Sequence, residues 1–287
     1  MRTLFMLAIL LGIQPLTAVF AETTGPKKGT LIVMGGGGQQ TEIWKRFLAL
    51  SGGENAKIVI IPTANEDTGI AGDETAGSLQ KLGAKQVTTL HTRDPKEADT
   101  EKFVEPLRTA TGVWIGGGRQ WRLADAYLNT RVVTELKALL ERGGVIGGTS
   151  AGATIQGDFL VRGDTKGNEL MEGDHLVGFG FIRNVAIDQH ILRRNRQFDL
   201  LPVIEKHPEL LGIGIDENTA IVVQGDQFEV IGASYVAITD AKQWQDPNST
   251  SPNHAATKGK FYLLSRGERF DLKTRRVVPS EKLETAP

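Results

Sequence analysis

Apolar residues along the first two thirds of the chain follow two alternating rhythms. Short runs rich in β-branched residues at 31–34, 58–62, 87–90, 112–115, 144–147 and 185–188 read as strands. Several contain no charged position, the pattern of a strand covered on both faces of a parallel sheet. Between them apolar residues recur at helical spacing. Val132, Val133, Leu136, Leu139 and Leu140 form one stripe, closed by Gly143-Gly144 as a C-cap. Ile43, Phe47 and Leu50 form another, closed by Gly52-Gly53. Strand and helix alternating in this way predict an α/β fold with a doubly wound, mostly parallel sheet.

The rhythm changes after Leu210. Residues 212–216, 219–223, 228–231 and 235–238 read as strands, with turns at Gly225-Asp226 and Gly232-Ala233-Ser234. Strands joined this closely predict an antiparallel C-terminal extension of the sheet. Residues 241–260 are polar and contain Pro247, Pro252 and Asn253, which predicts a surface loop, and the last eight or so residues read as a frayed end.

The N-terminus has a different logic. Arg2 is followed by an almost unbroken apolar run over 4–13 and then by Val19-Phe20-Ala21, a small-x-small ending. This is the layout of a secretory signal peptide over residues 1–21, leaving 22–287 as a single domain. The apolar run is shorter than the ~20 residues a membrane-spanning helix needs. The expected destination is therefore the periplasm or the extracellular medium. Composition adds two limits. The chain of 287 residues has no cysteine, so an exported domain must be stabilised by a packed core and not by disulfides. Its formal charge of −1 gives no sign of a nucleic-acid partner, or of a membrane partner once the signal is removed.

The strongest chemical signal is Gly148-Thr149-Ser150-Ala151-Gly152, a G-x-S-x-G sequence between a strand and a helix start. Small residues flank the serine because the chain must turn sharply there to lift the hydroxyl above the sheet. The N–H of Ala151 is then a candidate oxyanion donor, and Gly117 or Gly118, after the strand at 112–115, could supply a second. A serine needs a base. Of His91, His175, His190, His207 and His254, only His190 ends a strong strand, where a doubly wound sheet presents functional groups. The carboxylates between serine and histidine, Asp158, Asp164, Glu169, Glu172 and Asp174, are all admissible orienting acids, and spacing does not choose among them. Asp188, Gln189, Arg193, Arg194 and Arg196 surround the histidine with polar groups suited to a charged substrate, and Gln120 could face it as well. The glycine run 35–38 breaks the G-x-G-x-x-G register at Gln40, and no two histidines stand close enough in sequence to form a ligand pair. No cofactor and no metal is expected.

Taken together, residues 57–64, 147–153, Asp188-Gln189-His190 and 212–220 resemble the cyanophycinase family of serine peptidases, relatives of the aspartyl dipeptidase known as dipeptidase E. The resemblance implies a flavodoxin-like fold akin to class I glutamine amidotransferase domains, usually dimeric. It implies hydrolysis of cyanophycin, a poly-aspartate with arginine on each side chain, to β-Asp-Arg dipeptides. It identifies Ser150 as nucleophile and His190 as base, with Glu169 the nearest match to the family's acid and Asp164 next. It also maps Gln120, Asp188, Gln189, Arg194 and Arg196 onto the substrate pocket. An aspartyl dipeptidase of α or β specificity, or an esterase on the same triad, are the alternatives. Three positions depart: Ile191 replaces a usual phenylalanine, Arg119 replaces a commonly acidic or polar residue, and Asp199 stands where the family carries a third arginine, where an acid facing the pocket would oppose a substrate carboxylate.

Overall fold

The computed structural model describes residues 23–38, 41–244 and 261–279. The predicted signal peptide, most of the polar 241–260 segment and the C-terminal end lie outside them. Fifteen strands occur among the described residues. The first five are β1 (Thr30–Met34), β2 (Lys57–Ile61), β3 (Gln86–Thr89), β4 (Gly112–Ile115) and β5 (Val145–Thr149). Then come β6 (Gly157–Gly163), β7 (His175–Val177), β8 (Ile182–Gln189), β9 (Leu211–Ile215) and β10 (Thr219–Gln224). The chain ends with β11 (Gln227–Gly232), β12 (Val236–Thr239), β13 (Phe261–Leu264), β14 (Arg269–Asp271) and β15 (Arg276–Val278).

The strands form two sheets. The larger has nine strands in the order β15-β14-β11-β10-β1-β5-β4-β2-β3. Its β1, β5, β4, β2 and β3 are parallel, as their continuous apolar runs predict, and β1, β4 and β5 are buried over nearly their whole length. From β10 onward the pairing is antiparallel, which is the predicted C-terminal extension. The smaller sheet, β13-β12-β9-β8-β6-β7, was not anticipated. It takes the strands read at 185–188, 212–216 and 235–238 away from the first sheet. An apolar run reports burial on both faces but not the sheet that supplies its neighbours.

The helices cover the first sheet unequally. Thr41–Leu50 packs Ile43, Trp44, Phe47 and Leu48 against the face that carries Ile32, Met34, Ile58 and Trp114. The opposite face, carrying Leu31, Val33, Val59 and Ile61, shares one continuous apolar cluster with helix Arg131–Glu141 and with Ile187, Ile213 and Ile238 of the second sheet. The two sheets thus meet over one core. Their seam brings the C-terminal ends of β1 and β5 beside those of β8 and β9.

Candidate active site

Ser150 follows β5 and precedes the one-turn helix Ala151–Thr154, the predicted strand-turn-helix setting. Its backbone lies at φ 54°, ψ −113°, a conformation that a side chain disfavours. The turn closes only because Gly148 lacks a side chain, since a Cβ there would lie 2.1 Å from the Gly152 carbonyl oxygen. Ser150 N–H donates to the Met34 carbonyl at 3.0 Å, tying the elbow to the end of β1.

His190 follows β8 and also has a positive φ, 57°. Its N–H donates to the Gly35 carbonyl, again at the end of β1. The imidazole lies against Gly36, where a Cβ would come within 2.1 Å of Cε1. The glycine run after β1, unsuited to phosphate by its register, therefore clears the space for the imidazole. Nε2 of His190 is 3.0 Å from Ser150 Oγ, and Nδ1 is 2.7 Å from Glu217 Oε1.

The acid beside His190 is Glu217, which corrects the expectation of Glu169 or Asp164. Glu169 has an 89% exposed side chain whose nearest basic group is Arg196, at 4.0 Å. Asp164 accepts the Lys166 and Gly167 N–H groups and shapes its own loop. Each remaining candidate is committed elsewhere. Asp158 accepts from Asn184 and Val185, Glu172 from Lys206, and Asp174 from Thr165. Glu217 was missed because the acid was sought between the serine and the histidine. It had a visible signal, since it sits in the 212–220 segment that carries part of the family resemblance.

The residue before it fixes the geometry. Asp216 accepts the N–H groups of Leu192 and Arg193, each at 3.0 Å, and the Ser234 hydroxyl at 2.6 Å. Although burial acts to raise it, these bonds hold the Asp216 carboxyl below its usual range. Register places Gln189 opposite Ile215, so His190 and Asp216-Glu217 leave neighbouring parallel strands at the same level. Burial pushes the His190 imidazole below its ordinary value. The Glu217 hydrogen bond works against that shift, while the positive charges of Arg194 and Arg196 reinforce it. An imidazole so placed is neutral near pH 7 and can accept a proton from Ser150.

Around this chain of hydrogen bonds the predicted pocket residues separate into two groups. Gly117 packs against Ser150, its Cβ direction 3.3 Å from Ser150 Cβ, and Ala151 opens the helix, so its N–H has no acceptor within it. Gly118 packs instead on the Ala64 carbonyl, at φ 136°. Gln120 is fully buried and donates through Nε2 to Val161 O, while its Oε1 has no donor among the described residues. Arg196 is 7% exposed, yet among the described residues its guanidinium has only long contacts, 3.4 Å to Gln189 Oε1 and 4.0 Å to Glu169. Arg194 is exposed and close enough for its charge to act on His190.

Asp188 does not line the pocket. It is fully buried, and Arg162 takes both its oxygens through Nε at 2.7 Å and Nη2 at 2.9 Å. The same Arg162 Nη2 donates to Asp199 at 2.5 Å, and Nη1 donates to Asn168 O. Asp199 is thus tied to Arg162 and does not point freely to solvent, although its side chain is 37% exposed. It shares with Asp188 a buried arginine, Arg162, that sequence reading did not single out.

Peptidase family S51 matches residues 31–231 of the chain. A cyanophycinase of Geminocystis herdmanii is 33% identical over 258 residues, covering 86% of this chain and 95% of that protein. A cyanophycinase of a Nostoc species is 32% identical over 265 residues, covering 88% and 89%. Among solved structures, a peptidase from an acI-B1 Actinobacterium superposes with a TM-score of 0.61 at 25% identity, over 86% of this chain and 98% of that one. A putative peptidase E protein from Listeria monocytogenes shares the fold, with a TM-score of 0.51 at 18% identity over 72% and 99%.

Proposed function

The chain belongs to peptidase family S51 and is a serine-type peptidase, and on that premise we propose that it is an exported cyanophycinase working through Ser150, His190 and Glu217. The observation that carries this reading is the unbroken hydrogen-bonded line from Ser150 Oγ through both imidazole nitrogens to Glu217, set at the seam of the two sheets.

Ser150 Oγ attacks the carbonyl carbon of the scissile amide as its proton passes to His190 Nε2. Nδ1–H donates to Glu217, which holds the reactive tautomer and stabilises the imidazolium that forms. The N–H of Ala151 and the Gly117 side of the 116–118 loop stabilise the oxyanion. His190 then gives its proton to the leaving amine, the C–N bond breaks, and an acyl-serine remains. Water, deprotonated by the same nitrogen, hydrolyses that ester and restores the serine. The poorly satisfied guanidinium of Arg196 and the exposed Arg194 suit the carboxylates of β-Asp-Arg units. Residues 1–21 support export, with cleavage before Glu22, so the polymer would be met outside the cell.

The test is incubation of the purified chain with cyanophycin and mass analysis of the products. Release of β-Asp-Arg by the wild type and none by Ser150→Ala is the expected result. Cleavage of α-aspartyl dipeptides with the polymer left intact would move the activity to the dipeptidase class.

A further inference from the structure

Ser150 has two sides, and the arginine and amide side chains of the pocket described above lie on only one of them. Gln189 and Arg196 belong to the second-sheet side, and Gln120 is bonded to Val161 of β6 on that same side. On the other side, beside helix Thr41–Leu50, an open cavity of about 470 Å³ lies at the C-terminal ends of β1, β2, β4 and β5. Trp44 and Trp114 line its inner end, their rings stacked at 4.6 Å. Gly117 and Thr149 line the end next to the nucleophile, and the segment after β2 contributes Asp73 and Glu74.

We propose that this cavity is a substrate subsite for a guanidinium group, taking the arginyl arm of a β-Asp-Arg unit beside the scissile bond, with Asp73 and Glu74 as its acceptors. The inference rests on the cyanophycin reading of the site. The cavity falls within the ~300–1,000 Å³ range of small-molecule pockets, and it lies in the crevice where doubly wound sheets bind ligands. Its lining carries two carboxylates and no basic side chain. No lysine or arginine occurs between residues 58 and 80, and no described basic side chain forms an ion pair with Asp73 or Glu74. The Thr75 N–H holds Asp73 through Oδ1 at 2.7 Å, which fixes the carboxylate. A planar guanidinium binds such a carboxylate by directed N–H donation.

The charge pattern across the nucleophile strengthens the assignment. Arg194 and Arg196 lie on the second-sheet side of Ser150, whereas the charged side chains lining the cavity are Asp73 and Glu74. A substrate unit bearing both a guanidinium and a carboxylate is oriented by that asymmetry, whereas a simple ester is not.

The experiment compares a synthetic β-Asp-Arg trimer with its citrulline counterpart, which replaces each guanidinium by a neutral urea of nearly the same shape. The wild type should favour the arginyl trimer in kcat/KM by at least about tenfold, the scale of a charge-assisted hydrogen bond. In Asp73→Asn/Glu74→Gln that ratio should fall towards one, and Glu74→Lys should lower it as well. A ratio unchanged in the double variant overturns the subsite. Binding of agmatine, a guanidinium on a short alkyl chain, is read separately by tryptophan fluorescence. If the wild type cuts neither trimer, the cyanophycin reading fails, and agmatine decides the subsite alone. Binding that is lost in a double variant with an unchanged melting temperature supports the subsite, and equal binding in both proteins overturns it. Should the double variant not fold, the two single substitutions Asp73→Asn and Glu74→Gln give the same readouts.

Discussion

Glu217 Oε1 stands 2.7 Å from His190 Nδ1 although the two residues are 27 positions apart and leave neighbouring strands, β8 and β9, of the second sheet. Ser150, on the other side of the imidazole, follows β5 of the first sheet. The site is therefore assembled across the seam of two sheets, and the end of β1 is the common anchor. Met34 O and Gly35 O accept the backbone N–H groups of Ser150 and His190 respectively.

Glu217→Gln should lower kcat on cyanophycin by about 10²–10⁴, because an amide in place of the carboxylate no longer fixes the tautomer or stabilises the imidazolium. Glu169→Gln should stay within a few-fold of wild type. Parallel kinetics on the two variants, with melting curves to establish folding, check the pair. The reverse order would return the orienting role to Glu169.

The pH profile follows from the direction of the His190 shift. Burial favours the neutral imidazole, so kcat/KM should rise with pH through an inflection below the ordinary histidine value of about 6.5. Arg194→Gln removes a nearby positive charge and should move that inflection to higher pH. A pH–rate series on the two proteins measures both effects, and a shift to lower pH would contradict the assigned electrostatics.

Arg162 is a structural group. Arg162→Leu leaves Asp188 buried without its counter-charge, which costs about 3–5 kcal/mol and should lower the melting temperature by roughly 10 °C. Replacing both partners with apolar residues should recover much of that loss. Asp199→Arg, which restores an arginine at a departing position, should destabilise the fold because it faces Arg162, and it should not raise kcat/KM. Thermal melts and kinetics on the three proteins check this. A gain in activity for Asp199→Arg would place Asp199 in the pocket after all.

Ser150→Gly should be inactive and more stable than wild type. The serine occupies a backbone region that costs about 1–3 kcal/mol for a residue with a side chain, and glycine relieves it. The entropy that glycine adds to the unfolded chain offsets about 0.4–1 kcal/mol of that, leaving a net gain of ~1 kcal/mol. Denaturant unfolding of the variant against wild type measures the difference. No gain in stability would mean that the elbow stores no strain.

The chain's local patterns determined a good deal. Continuous apolar runs gave the parallel strands, because burial on both faces leaves no polar position. The G-x-S-x-G segment gave Ser150, because only small neighbours allow that turn, and the end of a strong strand gave His190. What local pattern could not supply was the partner of each strand and each charge. The strands at 185–188, 212–216 and 235–238 look alike whether they extend one sheet or build a second, since side-chain alternation is blind to which backbone lies alongside. Arg162 was hidden for the same reason, whereas Glu217 lay outside the Ser150–His190 interval from which the candidate acids came. A carboxylate acts on an imidazole, and a guanidinium bridges two aspartates, through distances of about 3 Å that exist only after β6, β8 and β9 have paired. Before that pairing, the carboxylates between Ser150 and His190 were all admissible, and Asp199 had no visible partner. Tertiary structure brings Glu217 to the imidazole and leaves Glu169 in water.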